Sequence, residues 1–539
     1  VILVSICSLL EKMTAHLRNA FIFAVGILFF FNLLFLQTYP LPSCDEATYA
    51  SNADAVLKRG NFGLTIWNVP EPFGRDQNMV HMGRLAALGE SLLFRIAGVS
   101  LFAARLYSLI AWILSIFLIY QIGKRFWDSS IGAAASLLFA ASFKSFFSGH
   151  LGRPDIWATT AILVATFAAL EIFTKPKSSF GFYILAGGVA VIPFDYHANG
   201  LWFLGAFCLT LFFVEGWQKQ NWRGIFSYGV GVVVGGLLWG LTHFLPSPAQ
   251  SWYQLTTGHN LSSYFSLTHN LVIFLDWLRD SSWAFGGLTG LLDLIIAAGG
   301  MLIALYTPGR ANRALLSITF ISLLAFAVFM GQKFVVYGIL WLPFTCLLGA
   351  LAVKNLTQRL FSRIHIPAET MLAMFVATYC VINIGVSSWL AYRVLQSDFP
   401  IMSERVQQSV PAGARVLADP IWWWSLSANH VYLNEEFVLV ATTAEKINHG
   451  TRTIEQIVDE MFQNLNIEYV LFDEAIACLY SPHSEWHVMN TYLNSKCEKL
   501  GEIVGTLNKE GGNRSNPLAQ KITLFKCGAK NVSVQIYHN

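Results

Sequence analysis

The chain has 539 residues, of which 55% are hydrophobic and only 12% charged, with a formal net charge of +3. A soluble domain carries about 25% charged residues, so a large soluble protein is excluded and a polytopic α-helical membrane protein is expected. The small net charge and the lack of any basic block exclude nucleic acid as a partner.

The first stretch, VILVSICSLLEK, is atypical of a start, and Met13 is the expected first residue, which sets Arg18 near the N-terminus. The run NAFIFAVGILFFFNLLFLQTY is too long for a signal-peptide core and has no small-residue cleavage site, so it reads as a retained span. Apolar runs of about 17–25 residues then place about eleven spans. They cover 20–37, 101–122, 130–146, 154–173, 180–194, 197–214, 226–244, 284–306, 313–330, 335–353 and 371–393. Alternate loops read GKRFWDS, TKPKSS, EGWQKQNWRG, TPGRANR and KNLTQRLFSRIHIP, and each holds Lys or Arg. By the positive-inside rule these loops and the N-terminus are cytoplasmic, and an odd span count puts the C-terminal part outside.

The outer side then holds residues 38–100, tight turns at SGHLGRPD and FDYHANG, a longer loop at 245–283, the turn GQK, and residues 394–539. Within the first outer loop, EATYASNADAVLKRG reads as a helix closed by Gly60. GRLAALGESLLFRIAG is amphipathic and is expected to lie along the membrane surface. Two parts follow: residues 1–393 as a membrane module, and 394–539 as a smaller extracytoplasmic α/β domain. In the second part, strand-length runs such as ARVLAD, EYVLFDE and KITLFKC alternate with helical patterns. Its Trp422–Trp424 run suits either a core or an interface-facing cluster. Of eight cysteines, Cys208, Cys346 and Cys380 fall in apolar spans and read as buried hydrophobes. Cys478, Cys497 and Cys527 lie in the outer domain, where one disulfide is a candidate, with Cys478–Cys497 the pairing considered.

The unusual polar residues sort to one face. Asp45, Glu46, His150, Arg153, Asp155, Asp195, His197 and Lys333 are far apart in sequence, yet the topology sets them at one depth on the outer side. Taken singly, each reads as an ordinary polar loop end; their convergence is what suggests a site. Asp155 opens a helix, whose N-terminus favours an anion. Asp293, mid-span in GLLDLII, reads as a buried pair within the bundle. A carboxylate beside a water-filled cavity can act as general base toward a hydroxyl, and Arg or Lys nearby can hold a phosphate leaving group. That combination suits transfer of a sugar from a polyprenyl-phosphate carrier whose tail stays in lipid.

Four stretches carry a resemblance to the type C (GT-C) superfamily of lipid-carrier glycosyltransferases. The branch it most resembles contains the dolichyl-phosphate-mannose protein mannosyltransferases and the lipid A aminoarabinose transferases. They are DEATYA, LFRIAGVSLFAARLYSLI, GHLGRPDIW and QKFVVYGILWLP, in family order over about residues 20–393. The resemblance implies Asp45 as catalytic base and Glu46 as its assistant or as an acceptor-orienting group. It implies Arg153 and Lys333 as ligands of the carrier phosphate, with Asp155 holding Arg153 or the sugar. Tyr337 would line the donor groove, and His197 is similar to a histidine of the family at that turn. Many relatives carry Lys-Pro-Pro-Leu in the first loop; here HMGRLAA stands in its place, and His81 and Arg84 are the candidates to substitute for the lysine. The resemblance also implies direct displacement with inversion. Asp45, Glu46 and Asp155 offer oxygen ligands for a possible divalent cation, although no spacing demands one.

The implied partners are a polyprenyl-phosphate-linked sugar and a lipid, glycan or protein acceptor, with membrane lipids around the spans. A bacterial inner membrane fits the compact loops. The rival readings are a secondary transporter, an enzyme of surface-polysaccharide polymerisation or ligation, and a non-catalytic polyprenyl-lipid-binding protein. Against the transporter, no internal repeat is seen and the polar residues gather at one face rather than at the midplane.

Overall fold

The computed structural model describes residues 15–67, 70, 72–175, 178–256, 266–280, 287–331, 333–361, 367–434, 437–447, 450–473, 484–507 and 518–528. Met13 and Cys478 lie outside the described residues.

Helices dominate the first part. They are α1 (Ala15–Phe35), α2 (Cys44–Arg59), α3 (Arg84–Ala97), α4 (Leu101–Phe126), α5 (Ser129–Ala141), α6 (Phe143–Gly149), α7 (Asp155–Thr174), α8 (Phe180–Val189), α9 (Ile192–Tyr196), α10 (Gly200–Leu211), α11 (Trp222–Trp239), α12 (Pro248–Thr256), α13 (Leu267–Arg279), α14 (Leu288–Tyr306), α15 (Arg310–Phe329), α16 (Leu342–Phe361) and α17 (Ala368–Leu395). Each of the eleven expected apolar runs falls on helix, but not every run is one long helix. Among the described residues seven helices are long and apolar enough to cross a membrane, or eight if α5 and α6, bent by 65°, form one span. The expected run 180–194 is broken into α8 and α9, and 335–353 begins with a 3₁₀ turn over Val335–Leu340 before α16. The protein is an integral membrane protein.

The bend between α5 and α6 has a visible cause. Ser142 Oγ donates to Asp293 at 3.1 Å, and the Phe143 N–H donates to Asn383 Oδ1 at 3.0 Å. A neighbouring helix thus satisfies the Phe143 N–H that the break releases inside the bundle, and another holds the Ser142 hydroxyl. Asp293 is buried with Lys144 at 3.7 Å and Tyr379 also bonded to it, so it is the paired intramembrane acid its sequence position suggested.

The five basic loops gather at one end of the bundle. Arg125 pairs with Glu171 at 2.7 Å, and Lys219 donates to the carbonyls of Ile172 and Phe173. Trp127 donates to Asn312, and Lys354 pairs with Asp128 at 2.9 Å. Their common side is therefore a property of the fold as well as of the charge pattern.

At the other end, α2 starts on a capping box: Ser43 Oγ accepts from the Glu46 N–H at 3.3 Å, while the Ser43 N–H donates to Glu46 Oε2 at 3.0 Å. It ends, as expected, at Gly60, in the left-handed conformation at φ 66°. Helix α3 is amphipathic. Leu85, Leu88, Leu92 and Ile96 form an exposed stripe, and Ala86, Ala87, Glu90 and Phe94 face inward. That stripe suits a helix lying along a membrane surface. Gly83, just before α3, has no room for a side chain: a Cβ there would meet the Asp195 carbonyl at 2.3 Å.

Beyond α17 come α18 (Phe399–Ser409), β1 (Arg415–Ala418), α19 (Trp423–Leu426), β2 (Val431–Asn434), α20 (Phe437–Ile447), α21 (Ile454–Asn464), β3 (Tyr469–Asp473), α22 (Ser484–Lys496), β4 (Glu498–Leu507) and β5 (Leu518–Lys526). The five strands form one mixed sheet in the order β2-β1-β3-β5-β4. The β1–β2 and β1–β3 pairs are parallel, and β5 runs antiparallel to both β3 and β4. Trp422 and Trp423 are core residues here, Trp422 stacked on Phe399 with ring centroids 5.5 Å apart.

One expectation changes at this level. The disulfide joins Cys497 to Cys527, not to Cys478. The reason is register: Glu498 pairs with Lys526 at the end of the β4–β5 ladder, so the residues just outside the ladder face one another. The first outer loop, assigned by sequence to the membrane module, shares one apolar core with the C-terminal part. Ala50, Ile66 and Trp67 pack in the same cluster as Val416, Leu433 and Leu471. The Asn434 N–H donates to the Ile66 carbonyl at 3.2 Å. A boundary at 393/394 falls near the end of α17, but that core runs across it.

Candidate active site

Asp45 and Glu46 stand side by side in the first turn of α2, where the helix N-terminus favours carboxylates. Consecutive helical residues point about 100° apart, and the two acids separate completely. Glu46 turns inward and is fully buried. Its carboxylate accepts from Arg105 Nε at 2.9 Å and Nη2 at 3.0 Å, and from the Gly152 N–H at 2.8 Å. Arg105 also donates to the carbonyls of Leu36 at 3.1 Å and Pro40 at 2.8 Å. This pair ties α1, α2, α4 and the Gly149–Pro154 turn together. Both oxygens of Glu46 are thus bonded within the protein, to Arg105, Ser43 and Gly152.

Asp45 turns outward, its side chain 58% exposed, and pairs with Nη1 of Arg153. Arg153 is buried and bridges two acids, since its Nε also donates to Asp155 Oδ2 at 2.8 Å. The carboxylates of Asp155 and Asp45 hold the Arg153 guanidinium in its protonated form, outweighed by neither burial nor distance, so its pKa lies well above the usual value. Asp155 is the first residue of α7. Its Oδ1 has no hydrogen-bond partner and faces His197 Nε2 at 3.6 Å. His197 Nδ1 accepts from the Asn199 N–H at 3.1 Å, so the ring proton of the neutral imidazole sits on Nε2, toward Asp155. Burial lowers the His197 pKa, with Asp155 opposing.

Two tyrosines complete the wall. The Arg153 guanidinium lies 5.7 Å from the Tyr49 ring centroid, and Tyr337 meets His197 edge-on at 5.1 Å. Burial pushes the Tyr49 phenol above its ordinary range. Asp45, Arg153, Asp155, His197 and Tyr337, drawn from four separate places in the sequence, thus meet as one group.

The remaining expected residues lie outside that group. Lys333 Nζ donates to the Asn270 carbonyl at 3.0 Å and to that of Met330, and sits 5.4 Å from the Phe326 ring. Phe326 in turn meets Tyr337 at 6.3 Å, which is the route by which Lys333 borders the site. Arg84 is buried against Phe62, 4.1 Å from that ring, and donates to Asn78. Burial lowers its pKa to about 10. Its guanidinium therefore packs among residues of the 38–100 stretch rather than beside Asp45. His81 is half-buried three residues before it. His150 is fully buried, its two ring nitrogens bonded to the carbonyls of Phe146 at 2.6 Å and Asn32 at 2.7 Å. Asp195 accepts from the Leu85 N–H at 2.9 Å and meets His243 at 3.1 Å, so it anchors the start of α3.

The proposed metal set of Asp45, Glu46 and Asp155 does not converge. Arg153 fills the space between the two aspartates, and Glu46 is turned to Arg105. Among the described residues no three His, Cys, Asp or Glu side chains form a candidate metal cluster.

Sequence reasoning missed Arg105 and Tyr49, though both left signals. Arg105 is a charge near the start of a long apolar helix, which demands a partner. Tyr49 is four residues after Asp45 and so shares its helix face. The Ser43-x-x-Glu46 spacing also marks a capping box and pointed to a structural task for Glu46.

A family model described as dolichyl-phosphate-mannose-protein mannosyltransferase matches residues 85–193. An undecaprenyl phosphate-α-4-amino-4-deoxy-L-arabinose arabinosyl transferase of Pseudomonas aeruginosa is 27% identical over 216 residues, covering 39% of this chain. The match spans 37% of that relative's length. Among solved structures, ArnT from Cupriavidus metallidurans bound to undecaprenyl phosphate superposes with a TM-score of 0.64 at 10% identity, covering 95% of this chain and 98% of that one. The Archaeoglobus fulgidus oligosaccharyltransferase tethered to an acceptor peptide reaches a TM-score of 0.50 at 12% identity, covering 93% and 75%. The chain shares the fold of ArnT from Cupriavidus metallidurans over nearly its whole length.

Proposed function

We propose that this chain is an inverting glycosyltransferase of the GT-C type that moves a sugar from a polyprenyl-phosphate carrier to a lipid, glycan or protein acceptor at the outer face of a bacterial inner membrane. The N-terminus is cytoplasmic and the C-terminal part periplasmic in this reading. The observation that carries it is an exposed carboxylate, Asp45, bonded to a buried arginine that Asp155 holds from behind. The likeness to a structure that contains undecaprenyl phosphate supports the carrier.

The reaction needs little else. An acceptor hydroxyl attacks the anomeric carbon while Asp45 takes its proton. The bond from that carbon to the phosphate oxygen breaks on the opposite side, and the electron pair leaves with the phosphate. Arg153 stabilises the charge that develops there, because a guanidinium matches the planar, multi-oxygen geometry of phosphate. Lys333 adds a second cation at the border of the site. Asp155 and His197 act as positioning residues, fixing Arg153 through a chain of buried contacts. Arg153 pairs with Asp45; an arriving phosphate competes for the guanidinium and leaves the carboxylate free to act as base.

The test uses the purified chain in lipid nanodiscs with labelled undecaprenyl-phosphate-linked sugars and an extract of envelope acceptors. Acceptor-dependent release of undecaprenyl phosphate, with the label moved to acceptor, is the expected result. Donor binding with no release under any acceptor overturns the reading in favour of a non-catalytic lipid-binding protein. Uptake into liposomes without chemistry does so in favour of a carrier.

A further inference from the structure

Glu90 takes no part in the proposed chemistry, yet it is placed as a recognition group is. It lies on the inward face of α3 and is 5% exposed. Its Oε1 has no hydrogen-bond partner among the described residues. A buried carboxyl oxygen left unsatisfied is costly, and the cost is recovered when a donor arrives. The carboxyl lines a narrow cavity whose other walls include Tyr49, Met82, Ala86, Ala87 and Arg153. The two alanines and Gly83 keep that wall low, so nothing on α3 shields the carboxyl from the cavity. The same arginine that meets Asp45 thus borders the space Glu90 faces.

The size of the space limits what enters. The cavity is about 10 Å³, enough for the centre of one water-sized group. It admits a single substituent, not a sugar ring. Neighbouring acids do not fill the role: Glu46 spends its oxygens on Arg105, Ser43 and Gly152. Burial, with the Glu46 charge adding to it, pushes the Glu90 carboxyl well above the usual carboxylate range.

We infer that Glu90 is a specificity-determining residue that receives one hydrogen-bond-donating substituent, O–H or N–H, of the transferred sugar in the cavity beside Arg153. This rests on the glycosyl-transfer reading of the site. The geometry gives the enzyme a way to tell sugars apart by one group. A sugar lacking that substituent leaves Glu90 unsatisfied, and a bulkier one does not fit.

The experiment is a deoxy scan with the full-length chain in nanodiscs. Undecaprenyl-phosphate-linked pentoses and hexoses are compared with analogues lacking one hydroxyl or carrying an amine in its place. The wild-type chain is expected to lose about tenfold or more in kcat/KM for one deoxy position. Glu90→Ala should erase that penalty by slowing only the substituted donor. Glu90→Gln, which keeps a carbonyl acceptor in the same place, should retain recognition of the substituent. An equal loss on substituted and deoxy donors, or no loss, overturns the inference. Transfer by the wild-type chain with no deoxy penalty at any position overturns it without any variant needing to fold, and leaves the glycosyl-transfer reading standing. Absence of transfer from every donor removes both.

Discussion

Arg105 grips Glu46 through two of its nitrogens, at 2.9 and 3.0 Å, with both side chains fully buried. The partners are 59 residues apart, and the bond fixes the start of α2 against α4. One acid of the adjacent pair is therefore built into the frame, and the other is left to face the opening.

Removing one partner of a buried ion pair strands the other. Arg105→Leu is expected to destabilise the chain by about 3–5 kcal/mol. Thermal unfolding of the detergent-solubilised protein measures this. Glu46→Gln should lower the melting temperature too. Full stability with selective loss of turnover would instead return Glu46 to the chemistry.

Asp45→Asn should reduce transfer by about 10²–10⁴-fold, the range for loss of a general base, while the melting temperature stays within a degree or two of wild type. The side chain is more than half exposed, so little packing is at stake. Near-normal turnover by this variant removes Asp45 from the mechanism.

Arg153→Ala is expected to weaken binding of undecaprenyl phosphate by about tenfold or more, since hydrogen bonds to charged groups contribute about 1.5–3 kcal/mol. Titration with the phosphate alone, free of sugar and acceptor, reads this directly. Asp155→Asn should produce a smaller loss in the same assay, because it loosens Arg153 without deleting it.

Lys333 supplies a pH dependence. Burial lowers its pKa from 10.5 to about 8. The ammonium is present below that value and lost as pH rises through it, so binding of undecaprenyl phosphate should decline above about pH 8. Stability moves the other way, rising between the folded value of about 8 and the unfolded value of 10.5, because the folded chain sheds the proton first. Lys333→Arg keeps its charge and should hold affinity level across that window. A wild-type affinity that is flat from pH 7 to 9.5 would separate Lys333 from the phosphate.

Cys527→Ser should lower the stability of the C-terminal region by about 2–4 kcal/mol, and Cys478→Ser should leave it unchanged. Non-reducing peptide mapping of the intact protein should recover Cys497 joined to Cys527.

The sequence by itself determined the membrane character, the grouping of the five basic loops, the helix that Gly60 closes, and the setting of Asp45, Arg153, Asp155 and His197 at the end of the bundle away from those loops. Those features rest on hydropathy, charge and capping, which act over a few neighbouring residues and so can be read in one dimension. Only the tertiary structure decided which of two adjacent acids was free, that Arg84 packs on Phe62, that Cys497 meets Cys527, and that Ile66 and Leu433 share a core. Each of those depends on a partner far along the chain, as Arg153 lies 108 residues from Asp45. A buried charge must find its counter-charge in space, and no local pattern says where the fold will bring one.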